Sequence, residues 1–151
     1  MIFCMLAAMP QEKSMKEQCN DLLKSQKVGV LSTNFEDSYP FGSLVPYVLD
    51  DKGNPIIYIS DLAIHTKNLE NYSKCTLTVS KVNKQDVFNS SRATILAEAK
   101  KVDAKEVEEL YFKKFPKAKK FAKLHDFSFY RLEVQKTYFV GGFGNIGWVE
   151  K

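Results

Sequence analysis

Four side chains of different chemistry, His65, Thr66, Lys67 and Asn68, stand together just after the apolar run Ile57-Tyr58-Ile59-Ser60 and the short link Asp61-Leu62-Ala63-Ile64. The pattern predicts a strand that runs into a helix. A helix start carries unpaired backbone N–H groups and a partial positive charge, so hydroxyl, amide and ammonium groups gathered there suit a phosphate dianion. A phosphorylated cofactor is the ligand this expects. The alternative is plain helix chemistry, with Ser60, Asp61 or Thr66 as an N-cap and Lys67 and Asn68 on a wet face.

Other reactive types are sparse. His65 and His125 are the only histidines, which leaves little material for a histidine-based metal site or a Ser/His/Asp triad. Cys4, Cys19 and Cys75 are odd in number and widely spaced, and so form neither a C-x-x-C pair nor a zinc set. No metal site is expected, and a reducing cytoplasm is. Arg92, at the head of an apolar stretch, could pair an anionic ligand group, and Asp126 sits at a helix-to-strand junction. Gly142-x-Gly144-x-x-Gly147 has the letters of a dinucleotide fingerprint but lacks the βαβ unit that gives them meaning, and reads as a flexible glycine-rich segment. No residue stands out as a catalytic acid, base or nucleophile.

The elements that must position these residues follow from periodicity. Met15, Cys19, Leu22 and Leu23 lie on one side of a helix spanning Gln11 to Lys24. Strands are expected at 28–33, at 41–49 with Pro46 interrupting, at 56–59, at 75–80, at 92–101 and at 127–140. Asp50-Asp51-Lys52-Gly53-Asn54-Pro55 reads as a hairpin turn, and the helix after Ser60 runs to about Tyr72. Asp103 with Glu106 opens a further helix, Pro116 breaks it, and a short second helix carries Phe121 and Leu124. Hairpins rather than βαβ units favour an α+β, mainly β fold: a small antiparallel barrel with helices at its margins.

Composition bounds the class. The 151 residues, 44% hydrophobic and 26% charged, fit one core-forming domain, taken as 14–151 behind an N-terminal tail at 1–13. The opening apolar stretch lacks the basic flank of a signal peptide and is too short to span a bilayer, so no membrane partner is expected. A net charge of +4 falls short of a nucleic-acid binder, and the lysines at 113–120 alternate with aromatics in the manner of a helix whose rings pack inward.

Three segments taken together resemble a known family: Pro40-Phe41-Gly42-Ser43-Leu44-Val45-Pro46-Tyr47, then Tyr58-Ile59-Ser60-Asp61-Leu62-Ala63-x-His65-Thr66-Lys67-Asn68-Leu69, then Tyr138-Phe139-Val140-Gly141-Gly142-Phe143-Gly144. They resemble the pyridoxamine 5'-phosphate oxidase-like, FMN-binding split-barrel proteins, and most of all the haem-utilisation branch, over about residues 14 to 150. The resemblance implies a six-stranded antiparallel split β-barrel of the FMN-binding type. It also implies a homodimer, with a small-molecule ligand in clefts across the interface and FMN as the usual cofactor. Phe41, Gly42, Ser43 and Leu44 would line the flavin, Ser60, His65, Thr66 and Lys67 would hold the phosphate, and Asn68 would support the turn. The resemblance also implies that Arg92 and Asp126 match positions that, in the haem-utilisation relatives, help bind haem or act near the ligand.

Two departures shape the functional expectation. No Arg-rich segment follows the last strand, so pyridoxamine phosphate oxidation is not expected, and no His follows Gly144 to ligate iron as in the haem-degrading relatives. The expected function is therefore an FMN-dependent oxidoreductase of undefined substrate, with haem binding or haem degradation as the alternative. A dimeric interaction protein without a cofactor is the third possibility.

Overall fold

The computed structural model describes residues 12–37, 39–142 and 144–151. Most of the expected N-terminal tail, with Cys4, and Phe143 of the glycine-rich motif lie outside the described residues. Helix α1 (Met15–Ser25) begins where Ser14 accepts the Glu17 N–H at 3.2 Å, and it buries Cys19, Leu22 and Leu23. The cap satisfies one of the donors left free at any helix start.

Among the described residues eight strands follow, where six were expected. β1 (Val28–Phe35) and β2 (Tyr39–Pro46) form a hairpin in register from Val28↔Pro46 to Phe35↔Tyr39. The expected strand at 41–49 is split, because Pro46 ends the ladder and Tyr47 turns inward. The Tyr47 hydroxyl donates to the Leu23 carbonyl, and the chain resumes as β3 (Val48–Leu49) on a different partner. β4 (Pro55–Ser60) leads into α2 (Ile64–Asn71), and then come β5 (Lys74–Lys81), β6 (Ser91–Val102), α3 (Ala104–Lys114) and β7 (Phe127–Val140). The short second helix expected to carry Phe121 and Leu124 is a 3-10 segment, Pro116–Leu124. The glycine-rich stretch, read as a flexible segment, instead supplies β8 (Ile146–Val149), which pairs with β7 once Gly142 has turned the chain at φ +99°.

The strands form one antiparallel sheet in the order β2-β1-β5-β6-β7-β4-β3, with β8 beside β7. Its two faces are buried in different places. Inward residues of β1, β5, β6 and β7 meet Leu22 and Leu23 of α1 and Leu69 of α2 in the larger core, whereas Ile56 and Phe129 on the opposite face lie under Val107 and Tyr111 of α3. At the second site Tyr58 stacks on Phe129 with centroids 4.1 Å apart. One extra residue in β7 shifts the register between Leu96 and Ala97, and there the Asn54 side chain accepts the Val134 N–H at 3.0 Å. The bulge flips the alternation of β7, so Tyr130 and Leu132 before it and Phe139 after it share the larger core.

Candidate functional site

β4 leaves the sheet at Ser60, its register partner being Phe127 at the start of β7. The departing chain is tied down at once. Asp61 donates its N–H to the Asp126 carbonyl at 2.6 Å and accepts from the Ser128 hydroxyl at 2.6 Å, while the Ser60 hydroxyl accepts the Leu62 N–H at 3.2 Å. These bonds place Asp126 against the turn that precedes α2. The residue at the N-cap of α2 is Ala63, whose side chain has no oxygen to offer the first turn.

The four residues that open α2 diverge, as successive positions on a helix must. Thr66 is fully buried, and its hydroxyl donates to the Ser60 carbonyl at 2.5 Å. Asn68 is buried too; its amide donates to Thr33 Oγ1 at 3.0 Å, and that hydroxyl in turn donates to the Phe41 carbonyl at 3.4 Å. Both side chains are thus engaged in joining α2 to β4 and β1. Lys67 is exposed, and His65 is half-buried.

His65 and Asp126 carry a different signal. His65 Nε2 and Asp126 Oδ1 are shielded from solvent and have no hydrogen-bond partner among the described residues. Burial lowers the His65 pKa below its ordinary value, which keeps the imidazole neutral at pH 7. A buried polar atom left without a partner is destabilising by about 1–3 kcal/mol, so two beside one turn point to a group that completes them.

The residues of β2 are divided between two faces. Phe41 and Ser43 pair with Thr33 and Leu31 on the inward side, while Gly42 and Leu44 pair with Ser32 and Val30 on the outward side. β2 is the edge of the sheet, so one side of its backbone has no strand partner. The outward side of the sheet carries a single register row that crosses six strands: Leu44, Val30, Thr78, Thr94, Tyr138, Trp148. Leu44 is 70% exposed, Val30 42% and Trp148 47%. Arg92, exposed and paired with Ser80 and Val140, lies in the next row on that side.

Thr33 was not singled out by sequence. Its signal is a polar side chain at an inward position two residues after Leu31, which marks a buried hydrogen bond. Among the described residues no group of His, Cys, Asp and Glu is placed to hold a metal ion, and no helix is long and apolar enough to cross a membrane.

Comparison with known proteins places this geometry in context. The family model described as CREG, beta-barrel matches residues 10–151. The non-canonical heme oxygenase HOZ, chloroplastic, of Arabidopsis thaliana is 34% identical over 131 residues, which is 83% of this chain and 40% of that protein. A heme binding protein from Mycobacterium smegmatis superposes with a TM-score of 0.85 at 26% identity, covering 93% of this chain and 60% of its own. Campylobacter jejuni ChuZ shares the fold, with a TM-score of 0.81 at 21% identity over 94% of this chain and 62% of its own. The chain thus spans from two fifths to about three fifths of the length of these relatives.

Proposed function

The chain belongs to the CREG β-barrel family, and from that membership we propose that it is a haem-binding protein of the haem-utilisation type, acting as a homodimer in a reducing compartment such as the cytoplasm. The observation that carries this reading is the pair of shielded, unpartnered atoms, His65 Nε2 and Asp126 Oδ1, on either side of one turn. An imidazole held neutral by burial keeps a lone pair available as an iron ligand, and a carboxylate oxygen can accept a hydrogen bond from a ligand of that iron. Arg92 pairs with Val140, at the opposite end of β7 from Phe127 and Asp126, so it would meet a propionate of that haem only from the second subunit. The names of the Arabidopsis and Mycobacterium relatives support the same ligand. Haem, when bound, would supply redox-active iron; His65 would hold it, Asp126 would hold a proton or water, and Arg92, contributed from the second subunit, would pair with a propionate.

The dimer rests on the outward row. Its aliphatic end at Leu44 and Val30 and its aromatic end at Tyr138 and Trp148 are complementary, with Thr78 and Thr94 between them. A two-fold axis through the threonines sets each end against the other end of a second copy, which is the self-complementarity an isologous interface needs.

FMN is the second reading, favoured by a separate observation: α2 starts without a capping oxygen and presents the exposed Lys67 in its first turn, beside the free backbone edge of β2. The absorption spectrum of freshly purified protein separates the two, since a Soret band and the flavin bands do not overlap in form. In a haem titration the expected result is saturable binding that weakens tenfold or more, with an altered Soret position, in His65→Ala. Unsaturable haem uptake, or a Soret band indifferent to His65→Ala, would overturn the haem reading as drawn here.

A further inference from the structure

A second cleft lies between the end of α3 with its 3-10 extension and the sheet, reaching the β4–β7 pair beside the α2 turn, and holds about 540 Å³. Its floor is made of rings. Phe121 stacks on Phe127 with centroids 4.7 Å apart and planes within 12°, and Tyr58 lies 5.2 Å from Phe127 on the other side. Its rim is cationic: Lys27, Lys117 and Lys120 border it, and no Asp or Glu lines it.

Lys114 in the wall shows how unbalanced the charge is. Its ammonium is partly buried and donates to the Gln26 and Tyr47 carbonyls at 3.0 and 3.1 Å, with no carboxylate answering it. Burial, with Lys27 nearby, depresses its pKa. Burial, and after it the Asp126, Glu108 and Asp61 carboxylates, raise the Tyr58 pKa, so the positive charge of the cleft belongs to its lysine rim and Lys114 rather than to its floor. Flat faces of aromatic rings favour a flat conjugated partner, and a lysine rim favours acidic groups at its edge.

We propose that this cleft is a ligand site for a planar conjugated molecule bearing two or more acidic groups, seated on Tyr58, Phe121 and Phe127 and held at its edge by Lys27, Lys117 and Lys120. The lining has no His, Cys or Met, so nothing there ligates iron and the site needs no metal in its ligand. It borders the His65 and Asp126 turn through Phe127 and Tyr58 but is lined by neither His65 nor Asp126, so substitution separates the two sites.

The test uses metal-free protoporphyrin IX, a planar dicarboxylate, titrated into the full chain and followed by its fluorescence. The expected result is saturable binding that weakens at least tenfold in the double variant Lys117→Glu with Lys120→Glu, weakens with added salt, and is unchanged in His65→Ala. Circular dichroism on the double variant, whose altered side chains are both exposed, verifies the fold. Absence of saturable binding overturns the proposal, as does binding that the charge reversal leaves intact. Loss of binding in His65→Ala with no effect of the lysine changes would also overturn it, by assigning the porphyrin to the α2 turn. 1-Anilinonaphthalene-8-sulfonate, with one acidic group, provides the control: equal enhancement in wild type and double variant, together with equal porphyrin binding, identifies only an apolar patch and refutes the site.

Discussion

The Asn68 amide donates to the Thr33 hydroxyl at 3.0 Å, in a setting where Thr33 is 2% exposed and Asn68 6%. Residues thirty-five apart in sequence thereby fix α2 to β1, and the same hydroxyl reaches the Phe41 carbonyl on β2. Removing Thr33 leaves the buried Asn68 amide without that acceptor, while removing Asn68 loses the tie to α2 and leaves the Thr33 hydroxyl its bond to Phe41. Asn68→Ala is expected to destabilise the protein by about 1–3 kcal/mol, and the double variant with Thr33→Val by less than the sum of the singles. Urea unfolding midpoints at constant slope measure both.

Neighbouring positions in α2 separate fold from ligand. Thr66→Ala removes a buried hydroxyl that donates to the Ser60 carbonyl and is expected to lower stability by about 1 kcal/mol. Lys67→Ala changes an exposed side chain and should leave stability within about 0.5 kcal/mol. Under the FMN reading Lys67→Ala weakens flavin binding about tenfold without touching the unfolding midpoint. Flavin fluorescence quenching provides the measurement, and a protein that never binds flavin excludes this role for Lys67.

Several elements were already visible in the amino-acid pattern, and the reasons are physical. β7 was placed at 127–140 because its aromatic run continues without a breaker, and α3 was opened at Asp103 because a cap and an acidic first turn are local signals. β8 was missed because its pairing depends on Gly142 adopting a positive φ, which letters alone do not reveal. The break at Tyr47 depends on a hydroxyl reaching the carbonyl of Leu23 in α1, a tertiary contact. At the candidate site the cluster itself was visible and its orientation was not. With α2 starting at Ile64, Thr66 and Asn68 rotate inward, and what remains for a ligand is His65, Lys67 and the helix start.

Stability should respond to pH through His65. Burial lowers its folded-state pKa, so near pH 6 the unfolded chain binds more protons at this residue than the folded one. That difference makes stability rise with pH, with the contribution fully present above the unfolded value of about 6.5 and progressively lost as pH falls below it. Denaturant titrations at pH 7 and pH 5 are expected to show a loss that is smaller in His65→Phe. An equal loss in the two proteins would show that His65 charges freely in the folded state.

The outward row predicts an assembly that charge can dissolve. Val30 and Leu44 are exposed in the single chain, so lysine at both positions should leave the fold intact. Sedimentation at micromolar concentration is expected to give twice the chain mass of 17.3 kDa for the wild type and a single chain for Val30→Lys with Leu44→Lys. A wild-type monomer would remove both the interface and any cleft shared across it.

β7 is bonded to β4, β6 and β8, so residues 127–140 close a sheet whose strands β1 to β6 are made earlier on the ribosome. Until that segment emerges, β4 and β6 each present an open row of amides and carbonyls, and the rings of Tyr58 and Tyr111 lack the Phe129 partner they meet in the finished protein. The sheet therefore closes only after the whole of residues 28–126 has been made. Translation that stalls before Phe127 leaves an adhesive fragment, for which chaperones and proteases compete.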